Sequence, residues 1–445
     1  MGRRNKQRKN AAMLDSDDES SSVSSSSSLA RSDRMSLSGA DALGEDIQFE
    51  RDSLLQQALD ALFEKRGATR EKALALIIES FSTSLQYQFI EKNSATLLHQ
   101  CLNCIKKGST KELSLACHAI GLLALTAGQG DNTREILEDS YTPISQALKT
   151  TSDSLKIAAL VECLAIANFV GGSYAEETEK SMQIMWQLLN PKLGTNVVMV
   201  KPSVAVMEAV VSSWTLLLTT MCESDLSATY WQESLSFFSS LLDKDDRSIR
   251  IAAGEALVVM FELGSLQKFC SAKLHPTESS LDVNKPKNDY NHIHGWKSKI
   301  QNQIQNLSAE AGGKGSAKKD LTTQRNFFKD ALDFLEGGYS PETTIKVGGD
   351  LLNISTWRQL KQLNYLKRFL GSGFAKHLQD NEFIREVFGF VRKKKLLQDV
   401  DPLMHKQRSP YAAVSKARTQ HLNKQRMLSE GINIGHFAVN TEDGL

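Results

Sequence analysis

The sequence contains few of the residues that interrupt helices or favour strands. Only 8 of its 445 residues are proline, and aromatic residues make up 7%. Leu, Ala, Glu, Lys and Gln, which favour helix, are abundant by comparison. The composition therefore predicts a mostly helical protein, and its 41% share of apolar residues is enough to bury a sizeable core.

The chain also lacks a long apolar run without charges. The best candidate, Val204–Cys222, contains Glu208 and several Ser and Thr residues, so we expect no membrane span. The N-terminus is rich in Arg and Lys and shows no apolar signal segment. We therefore expect the six cysteines to be reduced thiols in the cytosol or nucleus.

No catalytic motif is recognisable in the sequence. It has neither HExxH nor GxSxG, and no pattern brings together a nucleophile, a base and an orienting group. Cys101 and Cys104, with Cys117 and His118 further on, are residue types found in zinc sites. A second pair at zinc spacing is missing, and these residues lie in apolar helical patterns, so buried helix cysteines are the prediction.

Two glycine-rich stretches are poor candidates for nucleotide sites. Gly371-Ser372-Gly373 would need a third glycine where Lys376 stands, and no strand precedes it, so it predicts a turn between helices. The stretch 312–316 lacks the residue order of a phosphate-binding loop. His377 lies on a predicted helix and is expected to pack against the protein. We therefore expect a non-enzymatic protein with no cofactor, metal or small-molecule substrate.

Similar helical segments recur along the chain from about residue 50. The segments are Thr69–Phe81, Lys111–Thr126, Ser154–Phe169, Val204–Thr219 and Asp246–Leu263. Equivalent alanines in successive segments are 43 to 50 residues apart, which matches HEAT and armadillo repeats. Residues 46–270 are therefore predicted to form an armadillo- or HEAT-like α-solenoid of about five helical pairs. An irregular helical bundle is the alternative.

The first 45 residues offer too little apolar surface for a core, because Ser, Asp and Glu dominate from Ser16 to Ser28. They are predicted to form a disordered arm that is basic over residues 1–10 and acidic further on. Ser16 is followed by three acidic residues and is a candidate for acid-directed phosphorylation. Phosphorylation there would deepen the acidic tract.

The chain after the predicted solenoid divides into three parts. Residues 271–320 are polar and are predicted to be a linker that contains a short helix around Trp296–Leu307. Residues 321–390 are predicted to form a small α+β domain, in which Gly348-Gly349-Asp350 joins the strands of a hairpin. Residues 391–445 are predicted to be a basic tail with a helix over 409–430, which Ser409 caps.

The basic tail is the strongest chemical signal in the sequence. Between residues 391 and 430, ten residues are basic and three are acidic, a balance that suits the phosphates of structured RNA. The apolar residues of its predicted helix form no single stripe, so the helix has little to dock on within its own protein. A solvated tail or a nuclear-import signal is the alternative. The predicted RNA- and ribosome-binding residues are Arg392, Lys393, Lys394, Lys395, Lys406, Arg408, Lys416, Arg418, Lys424 and Arg426.

The sequence resembles the interferon-related developmental regulator family, in its plant form, over nearly the whole chain. The resemblance is most specific at Asn364–Phe388, whose Gly-Ser-Gly and His-Leu-Gln sequences look like the family's small C-terminal domain. Arg325–Asp330 upstream and Lys416–Arg418 downstream also match, as do the basic opening arm and the Ser/Asp tract.

The resemblance implies an armadillo-like N-terminal domain and no enzymatic activity. Animal members are associated with translationally inactive ribosomes, with the C-terminal helix in the mRNA path, and are also described as transcriptional co-regulators bound to co-repressor complexes. Plant members are tied to stress and salt responses. We therefore expect a cytoplasmic regulator of translation that binds rRNA and ribosomal proteins and occludes mRNA or tRNA space on inactive ribosomes. One alternative is a nuclear co-regulator scaffold that binds co-repressor proteins, and another is a cargo adaptor or assembly chaperone.

Overall fold

The computed structural model describes residues 52–190, 202–222, 228–263, 288–310 and 318–391. The chain divides into two units, Met1–Leu54 and Leu55–Leu445, and the packing described below belongs to the second. The predicted N-terminal arm, including Ser16, lies outside the described residues.

The described residues are mostly helical. After a helix over residues 52–61 (α1), the helices are α2 (Gly67–Thr83), α3 (Tyr87–Lys107), α4 (Thr110–Ala127), α5 (Asp131–Thr150), α6 (Ser154–Gly171), α7 (Ala175–Leu189), α8 (Val204–Leu218), α9 (Ala228–Leu242), α10 (Arg247–Glu262), α11 (Asn288–Ala309) and α12 (Lys318–Gly337). The chain continues as β1 (Thr343–Val347), β2 (Asp350–Ile354), α13 (Trp357–Leu370), a 3-10 turn (Gly371–Gly373), α14 (Phe374–Asp380) and α15 (Glu382–Phe388).

Helices α2 to α12 form two rows. The even-numbered helices pack each against the next even-numbered helix, and we call them the inner row. Each odd-numbered helix from α3 to α11 packs against the even-numbered helix that follows it, and these helices are the outer row. This alternation is the architecture of an armadillo- or HEAT-like α-solenoid, and it confirms the predicted fold class.

The stack of helices continues past residue 270. Helix α11 lies in the segment predicted to be a linker, and the predicted boundary at 321 falls within α12. The two helices pack together, and α12 packs against α10 as the next member of the inner row. Helix α11 is mostly polar and buries Ile300, Ile304 and Leu307, a narrow stripe one helical turn apart. Such a stripe is a weak sequence signal, so the last pair was not recognised as part of the repeat.

Polar caps join the N-terminal ends of neighbouring inner-row helices. Ser109 and Glu112 form a capping box at the start of α4, and Glu112 also accepts from the Arg70 guanidinium of α2 at 2.7 Å. Asp153 caps α6 and accepts from the Thr110 hydroxyl of α4 at 2.8 Å. The caps satisfy free backbone N–H groups and also fix each helix against the next.

Helix α6 is long and apolar enough, by length and composition alone, to cross a membrane. It lies in the middle of the inner row, between α4 and α8 and against α5 and α7. Most of its residues are buried by these neighbours. Packing inside the protein therefore accounts for its apolar character.

Strands β1 and β2 form an antiparallel hairpin, as predicted. Gly348 and Gly349 make the turn with φ angles of 60° and 101°, which other residues rarely adopt. Val347, Leu352 and Ile354 are buried. The hairpin is therefore packed on the protein through one end and one face.

The contact between α10 and α12 tests whether the last helical pair belongs to the stack. A Cβ atom at Gly254 of α10 would lie 2.6 Å from a ring atom of Phe327 and 2.8 Å from one of Phe328. Gly254→Ala should therefore destabilise the protein by about 1–3 kcal/mol through overpacking. Gly295 of α11 has no atom within 4 Å of the same position, so Gly295→Ala is the matched control.

Thermal unfolding of both variants provides the measurement. We expect a lower midpoint for Gly254→Ala and an unchanged or higher midpoint for Gly295→Ala, because alanine favours helix by about 1 kcal/mol. Equal midpoints for the two variants would show that α12 does not pack on α10 as described.

Candidate functional site

The predicted RNA-binding residues lie outside the described residues. They occupy positions 392 to 426, and the last described residue is Val391, which is 81% exposed. Their roles stay a prediction from the sequence. The structure does describe the segment that delivers the tail, residues 357–390, which we call the C-terminal segment.

The end of the C-terminal segment is anchored on the inner row. The Asn381 side chain donates to the backbone carbonyl of Leu125, at the end of α4, at 2.6 Å. The same side chain caps α15 by accepting from the backbone N–H of Ile384. Phe383 packs edge-on against Phe169 of α6, with ring centroids 5.6 Å apart. The basic tail therefore begins directly after residues that are held in the core.

His377 is a packing residue, as the sequence predicted. Its side chain is fully buried, and Nε2 lies 2.8 Å from the backbone carbonyl oxygen of Phe81. Because a carbonyl oxygen only accepts, Nε2 must carry the proton. Burial lowers the pKa of His377 below its ordinary value of 6.5, so the folded protein favours the neutral ring.

The start of α13 is held by the ends of α8 and α10. Glu262 accepts from the backbone N–H groups of Trp357 and Arg358, each at 2.7 Å. The Arg358 guanidinium donates to the backbone carbonyl of Thr219 at 2.8 and 3.1 Å. A carboxylate at a helix N-terminus accepts hydrogen bonds from free N–H groups, and its negative charge interacts favourably with the positive end of the helix dipole. These contacts fix where α13 begins on the inner row.

Further along α13, buried polar side chains meet matching partners. Lys361 is 5% exposed; its ammonium donates to the Ser212 hydroxyl at 2.9 Å and forms an ion pair with Glu255. The Tyr365 hydroxyl lies 2.8 Å from the Ser213 hydroxyl, and burial raises the pKa of Tyr365. A buried ammonium without its partners would be strongly destabilising, so these pairs select one position of α13 on α8 and α10.

The C-terminal end of α13 packs at very short range on α4. The Phe369 ring stacks on His118 with centroids 4.4 Å apart. A Cβ atom at Gly121 would lie 2.5 Å from the Phe369 ring, so the absence of a side chain there makes room for it. The chain then turns through Gly371–Gly373, the predicted turn between helices.

The C-terminal segment leaves part of the inner row open. A half-open pocket of about 580 Å³ lies on the N-terminal halves of α4, α6 and α8, and Ile78 of α2 and Arg368 and Phe369 of α13 also line it. We call it the inner groove. Its small and apolar lining includes Leu115, Ala158, Ala159, Ala205 and Ala209. Its charged lining residues are Lys111, Glu162, Glu208 and Arg368.

The charges of the inner groove are unevenly paired. Glu162 accepts from the Arg368 guanidinium at 3.5 Å, and Lys111 pairs with Glu71 at 3.0 Å. Burial raises the pKa of Glu162, although the nearby Arg368 opposes this shift. No ion pair of Glu208 occurs among the described residues. Among the four charged lining residues, Glu208 is therefore the one without an ion pair in the described part of the chain, on an otherwise largely apolar surface.

The cysteines lie mainly in the core of the described structure. Cys101, Cys104, Cys117 and Cys163 are buried, and Cys222 is exposed. Burial raises the pKa of the Cys101 and Cys117 thiols, which makes them poor nucleophiles. Within the described ranges, no group of three or more His, Cys, Asp or Glu side chains is placed to hold a metal ion.

Family models match most of the chain. A model described as interferon-related developmental regulator matches residues 19–336, and one described as interferon-related protein conserved region matches residues 381–430. Interferon-related developmental regulator 1 of Sus scrofa is 27% identical over 349 residues, covering 77% of this chain and 72% of the relative. Interferon-related developmental regulator 2 of Mus musculus is 27% identical over 358 residues, covering 79% and 76%.

Solved structures of helical-repeat proteins show a distant likeness. An engineered protein is 12% identical, with a TM-score of 0.39, and the match covers 64% of this chain and 97% of that one. A designed armadillo repeat protein is 14% identical, with a TM-score of 0.38, and the match covers 62% and 99%.

Protonation of His377 should destabilise the folded protein, because it places a charge on a buried ring. Its pKa is lower in the folded than in the unfolded protein, so the unfolded chain binds more protons near the ordinary value of 6.5. Stability should therefore fall as pH decreases from 7.5 to 5.5. His118, whose pKa is also lowered by burial, should contribute in the same direction.

The variant His377→Gln should show a shallower loss of stability over this pH range, as measured by urea unfolding. His99→Gln, at an exposed position on α3, is the matched control and should keep the wild-type slope. An unchanged slope in His377→Gln would contradict the assignment of this residue as a buried neutral imidazole.

Proposed function

The chain belongs to the interferon-related developmental regulator family, and on this premise we propose that it is a non-enzymatic regulator of translation that binds the ribosome. The proposal places the protein in the cytoplasm, on inactive ribosomes, with rRNA and ribosomal proteins as its partners. We also propose that the protein is a plant member of the family and acts in stress responses.

One observation carries the proposal: the basic tail starts at Arg392, directly after an anchor buried in the fold. The conserved-region model spans both parts, since residues 381–430 include Asn381–Phe388 and the basic residues that follow. A binding segment whose first residue is held in place loses less conformational entropy on binding than one joined by a flexible linker. We infer that the anchor and the tail work together.

The proposed mechanism is steric occlusion combined with phosphate neutralisation. The helix predicted over residues 409–430 carries Lys416, Arg418, Lys424 and Arg426 in separate directions around its axis. In a channel lined by rRNA, such a helix contacts phosphates on several sides at once. Its volume then excludes mRNA or tRNA from the same space. Arg392–Lys395 contact phosphates nearer to the anchor.

A second candidate function is that of a nuclear transcriptional co-regulator scaffold. The observation that favours it is the inner groove, whose largely apolar lining with an unpaired Glu208 suits a protein partner better than RNA. In this alternative the basic segments serve nuclear import, and the solenoid holds co-repressor proteins. Ser16 in the acidic arm is a candidate for phosphorylation under either function.

Charge reversal in the predicted helix separates the two functions. We expect the wild-type protein to sediment with monosomes and ribosomal subunits in a sucrose gradient. A variant with Lys416, Arg418, Lys424 and Arg426 changed to Glu should be absent from these fractions. Log affinity falls as log salt rises, and the loss of four phosphate contacts should make this negative slope shallower by about 3 to 4. Thermal unfolding should be unchanged, because surface substitutions cost at most about 0.5 kcal/mol each.

The matched control is a variant with the same charge change elsewhere. It changes four exposed lysines of the solenoid to Glu, namely Lys72, Lys92, Lys107 and Lys149. This control should keep ribosome binding. Wild-type protein that stays in the ribosome-free fractions at low salt, or a folded tail variant with undiminished affinity, would refute ribosome binding through the tail.

A further inference from the structure

The inner groove has the length of a short peptide. It crosses α4, α6 and α8, three successive helices of the inner row. Neighbouring helices pack about 8–10 Å apart, so the groove extends for roughly 16–20 Å across them. An extended chain rises about 3.3 Å per residue. A linear segment of roughly five to seven residues therefore fits across the groove.

The surface of the groove suits apolar side chains. Ala158 and Ala159 on α6, with Ala205 and Ala209 on α8, leave space that larger residues would fill. Leu155 lies one turn before the two α6 alanines and is 69% exposed, and Val204 beside Ala205 is 42% exposed. Apolar groups that stay exposed around a concave surface are a common feature of binding sites.

The pairing of the charged lining residues indicates which charge a guest would carry, because Lys111 and Arg368 each already have a carboxylate partner. Arg368, on the C-terminal segment, already places a guanidinium on Glu162 at 3.5 Å. This contact shows that the groove accepts a cationic side chain. Glu208, one helix further along, lines the same groove and has no ion pair among the described residues. A cation from outside would therefore complement Glu208.

We propose that the inner groove binds a linear segment of a partner protein, in which one Lys or Arg is flanked by small or apolar residues. The basic side chain pairs with Glu208, and the flanking residues cover the alanines of α6 and α8. The residues that line the groove precede the basic tail in the sequence, so this inference does not rest on ribosome binding. It gives the solenoid a protein-binding role of its own.

A random heptapeptide library displayed on phage tests the proposal with the full-length protein as bait. Enriched peptides are synthesised with a fluorophore, and their affinities are measured by fluorescence anisotropy. We expect enriched peptides to share one basic position with apolar neighbours. Glu208→Lys should weaken their binding by about ten-fold or more, because a positive charge would then face the basic side chain of the peptide.

Steric and charge controls separate binding in the groove from unspecific attraction. Ala205→Trp fills the groove and should abolish binding, whereas Ala95→Trp on the exposed side of α3 should not. Glu91→Lys, also exposed on α3, makes the same charge change as Glu208→Lys and should leave affinity unchanged. Thermal unfolding checks that each variant is folded.

A second selection makes the test independent of any single variant. With Glu208→Lys as bait, the library should yield peptides with an acidic residue at the position where wild type selects a base. Failure to enrich any peptide, peptides without a common basic position, or peptides that bind Ala205→Trp as well as wild type would each overturn the proposal. The tail variant with four reversed charges should bind the peptides normally, so failure of this inference is distinguishable from failure of ribosome binding.

Discussion

Three helices at the centre of the inner row, α4, α6 and α8, are apolar on nearly every side, and the rest of the structure follows from covering them. In α6 the residues from Leu160 to Gly171 are buried apart from Glu162. Neighbouring inner-row helices cover two sides, and the outer row covers a third. The fourth side would otherwise expose a large apolar surface to water. Burying such a surface stabilises the fold by about 25 cal/mol for each Å². The C-terminal segment covers part of it, with Phe369 against α4 and Phe383 against α6.

This requirement explains why the C-terminal segment belongs to the solenoid. Its apolar residues Leu366, Phe369 and Leu378 are buried, and several of its polar residues, among them Lys361 and Asn381, bond to the inner row. Apolar contacts alone would permit α13 to slide by a helical turn. A slide would separate Lys361 from Glu255 and Ser212 and leave a buried charge unpaired. The position of the segment, and hence the starting point of the tail, is fixed by these pairs.

Features that depend on nearby residues were predicted from the sequence. The hairpin turn at Gly348 and Gly349 and the turn at Gly371–Gly373 have local signals, and the helical period identified the solenoid as far as α10. The packing of α11 and α12 as a further pair was not predicted, because α11 has a narrow apolar stripe in a polar sequence. The inner groove was not predicted either. Its limits depend on how much of the inner row is covered by residues more than 100 positions away in the chain.

The basic tail was recognised from sequence because a block of charge needs no fold to be seen, and its RNA-binding role stays a prediction. What the structure adds is the anchor that precedes the block. Residues up to Phe390 pack in the fold, and we propose that residues after Val391 bind the ribosome. A protein that ends at Val391 separates these assignments most directly. Its thermal unfolding should match that of the full-length chain, and its binding to purified ribosomes should be lost. A truncated protein that unfolds normally and still binds ribosomes with full affinity would contradict the account.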